Sequence, residues 1–366
     1  METVELHLFS KSPHISMVVV GFLMLENQGL VKVRIVPRYD SIKKYPHPHI
    51  VEAIINNKIF VYDCWDLCDW TASDWEKDKW KNICVMESLM DNIDFYFKRS
   101  YFEGKNLCLS EKNKKKIYPL GLFFRVSIKG NPIDFLDYST ISYNHIKKTI
   151  KYYLFQKMHN KYYTIDRFES SANFTNAKDL KIIFLTRLWN PLDKDVWDKD
   201  KKTEREYIND SRIEIIKKLK QSYPDNFVGG IEDSGFARQI CKELIVQKKI
   251  TRRSNYLELM KKCDICIGTM GLHGSIGGKT AEYVVAARAI VNEKFKYEIP
   301  CSFEPYKNYL PFETPDECVK AVSTLMKNPE QVYLQKKENE KYYKSFLRPD
   351  KQILYTINVV KNQKLF

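Results

Sequence analysis

The stretch KKCDICIGTMGLHGSIGGKTAEYVVAARAIVNE, residues 261–293, decides the fold of this chain. It opens with a short apolar run at 263–267, whose length and β-branched residues predict a buried strand. A turn studded with glycine follows at 268–278, and alanines and valines then recur at helical spacing over 279–289. The order strand, glycine turn, helix predicts an α/β protein.

The same turn predicts a phosphate site. A helix N-terminus gathers unpaired backbone N–H groups and the positive end of the helix dipole, and glycine lets a ligand approach the backbone closely. Gly277 and Gly278 stand where the helix begins, Lys279 can meet a phosphate, and Glu282 can accept hydrogen bonds from a ribose diol.

Two alternatives stay open for this turn. The spacing is neither G-x-G-x-x-G nor a P-loop, and glycine turns of this kind also occur where nothing binds. Glu282 in the first turn of a helix also suits the helix dipole without any ligand.

The segment GLHGSIGGKTAEYVVAARAIVNE, followed by KYEIP and NYLPFETPDECVKAVSTLM, resembles the C-terminal half of bacterial GT-B glycosyltransferases. It resembles in particular a group that carries a G-L-H-x-S-I-G-x-K-x-x-E-Y segment. DLKIIFLTRLWNP at 179–191 is similar to the strand and arginine turn that open the same domain, so the resemblance covers roughly residues 178–350. One departure is Gly274, because many retaining members place a glutamate at that position.

The resemblance implies an α/β protein of the GT-B class, with two Rossmann-like domains facing each other across a cleft. The expected domains are an acceptor-binding domain at 1–170, a nucleotide-sugar-binding domain at 178–345, and a segment at 346–366 that crosses back to the first domain. The residues expected to bind the donor, from the turn and the resemblance together, are Arg187, Arg212, Gly271, His273, Ser275, Ile276, Gly277, Gly278, Lys279 and Glu282.

The N-terminal region reads as strand 4–9, helix 15–25 and strand 31–36, the start of a Rossmann-like domain. His14 follows the first strand, on the side where open α/β sheets bind ligands, and is a candidate general base. A loop histidine without any role is the alternative.

Asp63 and Asp66 end the strand predicted at 58–66 and are the other catalytic candidates. Either carboxylate would orient an acceptor hydroxyl, or serve as base if burial raised its pKa. The alternative is that they cap the following helix. Lys98 and Arg99 end another predicted strand and are expected to steer a phosphorylated acceptor or to be solvated.

The composition of the chain indicates the number of domains and the kind of binding partner. A chain of 366 residues with 44% hydrophobic residues suits two domains, and its net charge of +14 calls for an acidic partner. The lysines are spread along the chain without a nucleic-acid-binding signature, which favours a phosphate-bearing substrate over nucleic acid. No membrane span or signal peptide is evident, so the expected location is cytoplasmic.

Residues 140–165 hold five lysines, six aromatic residues and no acid. This composition predicts peripheral contact with an anionic membrane at its inner face, and a helix with an ordinary core-facing stripe is the alternative.

No metal site is expected. Cys263 and Cys266 form C-x-x-C on a predicted buried strand, without a second pair at zinc spacing. The aspartates of the D-x-D-like pairs at 193–195 and 198–200 alternate with lysines in a charged loop. We interpret them as solvated side chains and not as metal ligands.

The sequence therefore predicts a metal-independent glycosyltransferase without a cofactor other than its donor substrate. It would move a sugar from a nucleoside diphosphate sugar to a hydroxyl of a glycan or lipid-linked acceptor. The alternatives are a non-catalytic nucleotide- or glycan-binding protein on the same scaffold and a nucleic-acid-binding protein.

Overall fold

The computed structural model describes residues 2–39, 44–67, 79–106, 108–133, 163–193 and 199–362. The chain forms two compact units. The first comprises Met1–Arg167, Tyr297–Cys301 and Lys344–Phe366, and the second comprises Phe168–Lys296 and Ser302–Tyr343. Each unit has its own sheet and its own hydrophobic core.

The first unit contains a six-stranded sheet in the order β2-β1-β3-β4-β5-β6. Its strands are β1 (Glu2–Leu8), β2 (Val31–Pro37), β3 (Ile50–Ile55), β4 (Lys58–Asp63), β5 (Phe95–Lys98) and β6 (Ile117–Pro119). Strand β3 runs antiparallel to β1 and β4, and the other neighbouring pairs are parallel. Since Ile50 pairs with Asp63, the residues just before β3 lie at the carboxyl ends of β1 and β4.

The second unit contains a five-stranded sheet in the order β11-β10-β9-β7-β8. Its strands are β7 (Ile182–Thr186), β8 (Phe227–Ile231), β9 (Ile265–Gly268), β10 (Ala289–Glu293) and β11 (Leu310–Phe312). All neighbouring pairs are parallel, and the central strands are buried along their length, as their continuous apolar sequences require. The carboxyl ends of all five strands therefore meet at one edge.

Twelve α-helices lie within the described residues. They are α1 (Ser16–Asn27), α2 (Lys79–Asp91), α3 (Glu103–Asn106), α4 (Glu111–Lys114), α5 (Lys199–Ser222), α6 (Gly235–Ile240), α7 (Lys248–Thr251), α8 (Arg253–Lys262), α9 (Gly278–Val285), α10 (Pro315–Lys327), α11 (Pro329–Tyr342) and α12 (Pro349–Asn362). Helix α1 is apolar on every side and buried from Ser16 to Leu25, because it packs between the first core and α12.

The prediction of an α/β protein with two Rossmann-like units is confirmed. The main departure is β3, whose antiparallel course makes the first sheet mixed. The helix predicted over 279–289 ends at Val285, because Ala287 adopts a left-handed backbone with φ 53° and Ala289 already begins β10.

Two sequence predictions fall on residues that the structure does not describe. The basic aromatic segment at 140–165 lies outside the described residues except for its last three positions, and so do Asp195 and Asp198 of the D-x-D-like pairs. Across the described ranges, no helix is both long and apolar enough to cross a membrane.

Packing of α1 against α12 generates the first prediction. A Cβ built on Gly21 would lie 2.5 Å from Ile353 Cγ1 and 2.5 Å from the Pro349 carbonyl oxygen. Gly21→Ala should therefore lower the free energy of unfolding by about 1–3 kcal/mol, although alanine is the better helix former. The measurement is urea denaturation followed by circular dichroism.

The matched control is Gly235→Ala in the first turn of α6, where a Cβ would meet nothing within 4 Å. This change should leave stability equal or raise it by about 0.4–1 kcal/mol, because it reduces the entropy of the unfolded chain. Equal unfolding midpoints for Gly21→Ala and the wild type would contradict the close α1–α12 packing.

Candidate functional site

The candidate site of the second unit is the glycine turn, residues 269–277, between β9 and α9. It contains a short 3₁₀ turn at Leu272–Gly274, in which His273 and Gly274 both adopt left-handed backbone, with φ 63° and 64°. A residue other than glycine rarely takes this conformation, and such outliers concentrate at functional sites. Gly274 suits its own position, whereas a glutamate there would be strained.

Two further glycines are required by close packing. A Cβ on Gly268 would lie 1.9 Å from Asn292 Oδ1, and a Cβ on Gly271 would lie 2.7 Å from Ser275 Oγ. Both distances are far inside van der Waals contact, so no larger residue fits without movement. The Gly271 N–H also donates to the Ser275 carbonyl at 2.8 Å, which closes the turn on itself.

The turn ends at the N-terminus of α9. The N-cap residue is Gly277, a glycine, so this position has no side chain with which to cap the helix. The backbone N–H groups of Gly278 and Lys279 lie in the first turn, where an α-helix provides no acceptor. They point out of the helix with the positive end of its dipole, which is an arrangement suited to an anion.

Arg212 holds the turn in place. Its side chain, on α5, is buried and uses all three guanidinium nitrogens. Nε donates to Thr269 Oγ1 at 3.1 Å, one terminal nitrogen donates to the Met270 carbonyl at 3.0 Å, and the other donates to the Arg187 carbonyl at 2.7 Å. Arg212 therefore joins the end of β7 to the start of the turn, a bracing role that differs from the donor contact expected from the sequence.

Glu293, at the end of β10, completes this brace. Its carboxylate accepts the Met270 N–H at 2.8 Å. Burial raises the pKa of Glu293, and the bond from Met270 and the charge of Arg212 partly offset that rise. Burial likewise lowers the pKa of Arg212 to about 10, with Glu293 opposing the shift. The two charges therefore support each other under the turn.

Lys279 places its ammonium group near the carboxyl end of β7. Its ammonium donates to the Leu185 carbonyl of β7 and lies 5.2 Å from the ring centre of Tyr256. Burial lowers the pKa of Lys279 to about 8, and the nearby Glu282 carboxylate offsets part of that shift. The Lys279 side chain is half-buried. Because an ammonium has three donors and the Leu185 carbonyl accepts from one of them, Lys279 keeps capacity for an anionic ligand.

Glu282 lies one turn further into α9 and is buried. Both of its carboxylate oxygens accept from Arg253 of α8, at 2.7 and 3.1 Å, in a bidentate pair. The Arg253 guanidinium also lies 5.0 Å from the ring centre of Phe168. The carboxylate that was expected to accept from a ribose is thus already oriented by an arginine that sequence reasoning did not identify.

Arg187 is the exposed cation of the site. It follows β7 directly, and its guanidinium carbon lies 4.0 Å from the ring centre of Trp189. Stacking on an indole face orients a guanidinium. This placement at the carboxyl end of the sheet matches the sequence expectation of a phosphate ligand, a role that stays a prediction.

The remaining predicted donor residues lie within the turn. The His273 N–H donates to the Glu204 carboxylate of α5 at 2.5 Å, and His273 itself is partly exposed. Ser275 and Ile276 are buried. They therefore shape the turn from within, whereas His273 reaches the surface.

The first unit gathers a second polar cluster at the carboxyl edge of its sheet, centred on Asp63. This carboxylate is fully buried and accepts from Tyr96 and, at 2.6 Å, from Lys98, while His47 Nε2 lies 3.3 Å away. Burial alone would raise the pKa of Asp63, but Lys98 and His47 hold it well below its ordinary value. The raised pKa that a base at Asp63 required is therefore absent, and its carboxylate positions the residues around it.

His14 and Asp66 lie at the open side of this cluster. His14 Nδ1 is 3.7 Å from Asp66 Oδ1 and 3.3 Å from the Arg99 guanidinium, which also pairs with Asp66. The His14 ring stacks on Phe123 with centroids 6.0 Å apart. The histidine and one of the two predicted carboxylates are thus brought together, in an arrangement able to hold an imidazole in one orientation.

Two histidines of this cluster were missed. His47 and His49 precede β3, and its antiparallel course carries them to the same edge as His14. The ring centroids of His49 and His14 are 4.7 Å apart, and His49 Nδ1 lies 2.8 Å from Ser12 Oγ. Burial, together with His14 and His47, lowers the pKa of His49 to about 4, so it is neutral at pH 7.

Among the described residues, no group of three or more histidine, cysteine, aspartate or glutamate side chains is arranged to hold a metal ion. Cys263 and Cys266 are free thiols buried in and beside β9, and burial raises the pKa of each. They contribute to packing of that strand.

Comparison with known proteins finds distant similarity to solved structures. No protein-family model matches the sequence, and no curated protein does. Among solved structures, the chain is similar to Anabaena HepE in complex with UDP, at 12% identity and a TM-score of 0.45, over 98% of this chain and 100% of that one.

A second similar structure is UDP-GlcNAc 2-epimerase from Neisseria meningitidis bound to UDP-GlcNAc, at 11% identity and a TM-score of 0.46, over 99% of this chain and 100% of that one. A third is the C-terminal domain of the glycosyl transferase group 1 family protein LpcC from Francisella tularensis. It shares 14% identity at a TM-score of 0.34, over 50% of this chain and 97% of that one. Because these identities and TM-scores are low, the chemistry of the site is inferred from the residues of this chain.

Proposed function

We propose that this protein is a GT-B glycosyltransferase that moves a sugar from a nucleoside diphosphate sugar to a hydroxyl of a glycan or a lipid-linked acceptor, without a metal ion. The observation that carries the proposal is the N-terminus of α9, which has a glycine at its N-cap and is reached by a turn that Arg212 braces from beneath. The motif resemblance over 271–293 supports the same function.

The chemistry of the leaving group follows from this geometry. A nucleoside diphosphate gains negative charge as the bond to the sugar breaks, and fixed donors that face this charge lower the barrier. The N–H groups of Gly278 and Lys279, the Lys279 ammonium and the exposed Arg187 guanidinium provide positive charge of this kind. In this proposal they act in place of a metal ion.

The second unit also offers contacts for the nucleoside. Glu282 is held by Arg253 in a bidentate pair and lies one turn beyond the helix N-terminus. A carboxylate in a fixed orientation is suited to accept hydrogen bonds from vicinal hydroxyls. We assign Glu282 to the ribose of the donor and Arg253 to its orientation.

The first unit is proposed to bind the acceptor and to supply the base. His14 is the candidate, because it is half-exposed and its Nδ1 faces the Asp66 carboxylate. An imidazole is a common general base, and Arg99, which pairs with Asp66, donates to His14 Nδ1 at 3.3 Å and so orients the ring. Asp66 would be the positioning residue. Peripheral contact with an anionic membrane through residues 140–165 stays a prediction.

The phosphate role of Lys279 gives the main test of this function. At pH 7, Lys279→Ala should weaken nucleoside diphosphate binding by about 10- to 100-fold, since a hydrogen bond to a charged group contributes roughly 1.5–3 kcal/mol. Affinity of the wild type should also fall as pH rises through about 8, because the ammonium loses its proton there. Calorimetry with UDP, GDP, ADP, CDP and TDP measures both effects.

Matched variants separate charge from folding. Lys279→Arg keeps the charge and should remove the loss of affinity above pH 8. Lys327→Ala, an exposed lysine of the same unit, should bind as the wild type does. If Lys279→Ala binds every diphosphate as tightly as the wild type, or if no diphosphate binds the wild type, the phosphate role of the turn is wrong.

Metal independence makes a separate prediction. Because arginine, lysine and backbone N–H groups are assigned the leaving-group charge, sugar transfer should proceed at an unchanged rate in excess EDTA. The assay is release of the nucleoside diphosphate from nucleotide sugars that carry the base found by calorimetry. Activity that EDTA abolishes and Mg²⁺ or Mn²⁺ restores would contradict this assignment.

A further inference from the structure

A groove of about 990 Å³ opens beside β11, the edge strand of the second sheet. It is lined by the segment 305–313, by α10 and by the residues that follow β10. None of its lining residues belongs to the glycine turn or to α9. The groove is therefore a second concave surface of the unit, with a size typical of ligand sites.

Tyr306 is the most unusual residue of the groove. Its side chain is 75% exposed, and its backbone is left-handed with φ 64°. Its N–H donates to the Tyr309 carbonyl at 2.7 Å, which fixes this conformation. A bulky residue at positive φ is strained, and a large aromatic ring in water is unfavourable as well. Such a combination is expected where the ring has a ligand.

Hydrogen bonds of Asn308 hold the segment that carries Tyr306. Asn308 is buried; its N–H donates to the Glu304 carbonyl at 2.9 Å, and its amide oxygen accepts the Glu304 N–H at 3.0 Å. Its amide nitrogen donates to Asn339 Oδ1 at 3.1 Å, and Asn339 in turn donates to the Asn308 carbonyl at 2.9 Å. A preformed segment loses little entropy when a ligand binds, so the groove is organised in advance.

The rim of the groove combines aromatic rings with balanced charge. Phe295, which is half-buried, and Tyr309, which is buried, also line the groove, with their ring centroids 4.7 Å apart. Lys294 pairs with Glu313 at 2.9 Å, and Lys320 and Glu317 add one further charge of each sign. Two cations and two carboxylates leave no net charge, which favours a neutral ligand over an anion or a cation.

We propose that this groove binds a neutral oligosaccharide. A sugar ring has an apolar face that can pack on an aromatic side chain and a belt of hydroxyls that can bond with charged rim groups, so its surface matches this lining. An added peptide strand is less suited, because β11 has three residues and Pro311 at its centre has no N–H to donate. The inference goes beyond the proposed transfer reaction and does not rest on it.

The test is direct binding without any nucleotide. The wild type is titrated with maltohexaose, cellohexaose and chitohexaose, followed by calorimetry and saturation-transfer NMR. At least one should bind, and Tyr306→Asn should weaken that binding by about tenfold or more, as loss of a central aromatic contact does. Asparagine tolerates the left-handed backbone, so the variant is expected to fold.

Two variants serve as controls. Tyr306→Phe keeps the ring and should retain the affinity. Tyr207→Asn makes the same change at another exposed tyrosine, which is 58% exposed on α5, and should leave the affinity unchanged. Circular dichroism and thermal melting establish that each variant is folded.

Four results would overturn the proposal. They are binding of none of the three sugars, equal binding by Tyr306→Asn, binding only of a sulfated heparin hexasaccharide, and self-association that requires Tyr306 without any sugar binding. The last result, seen by analytical ultracentrifugation, would assign the groove to a contact between copies of this chain.

Discussion

The second unit depends on one buried cation, the guanidinium of Arg212. It ties the end of β7 to the first two residues of the glycine turn, and Glu293 supports the same turn from β10. Three separate strands are thereby linked at their carboxyl ends. This brace fixes the start of the turn, and thereby helps to hold the backbone N–H groups at the N-terminus of α9 ready for an anion.

The fold was predictable where apolar residues recur at one clear spacing or form one continuous run. The apolar run before the turn, the helix after it and the first strand–helix–strand unit were all expected, because buried parallel strands and amphipathic helices have distinct patterns. Strand β3 was not expected. Its residues, IVEAII, read equally well in either direction, and only pairing with β1 and β4 sets its antiparallel course.

The candidate site was predictable in part, for related reasons. Glycines and the lysine of the turn carry a local signal, whereas Arg253 and Glu293 are ordinary charged residues until the fold places them beside α9 and the turn. Two histidines in the Y-P-H-P-H segment were missed because β3 was missed. The environment of Asp63 also required the structure, since burial and a neighbouring lysine shift its pKa in opposite directions.

The most direct measurement of the central claim is the response of individual backbone amides to a nucleoside diphosphate. In protein labelled with ¹⁵N at glycine and lysine, titration with the diphosphate that binds tightest should shift the amide signals of Gly277, Gly278 and Lys279 most strongly, and the bare nucleoside should shift them little. If the diphosphate binds while these three amides stay unchanged, its phosphates lie elsewhere and the glycine turn is an ordinary connection between β9 and α9.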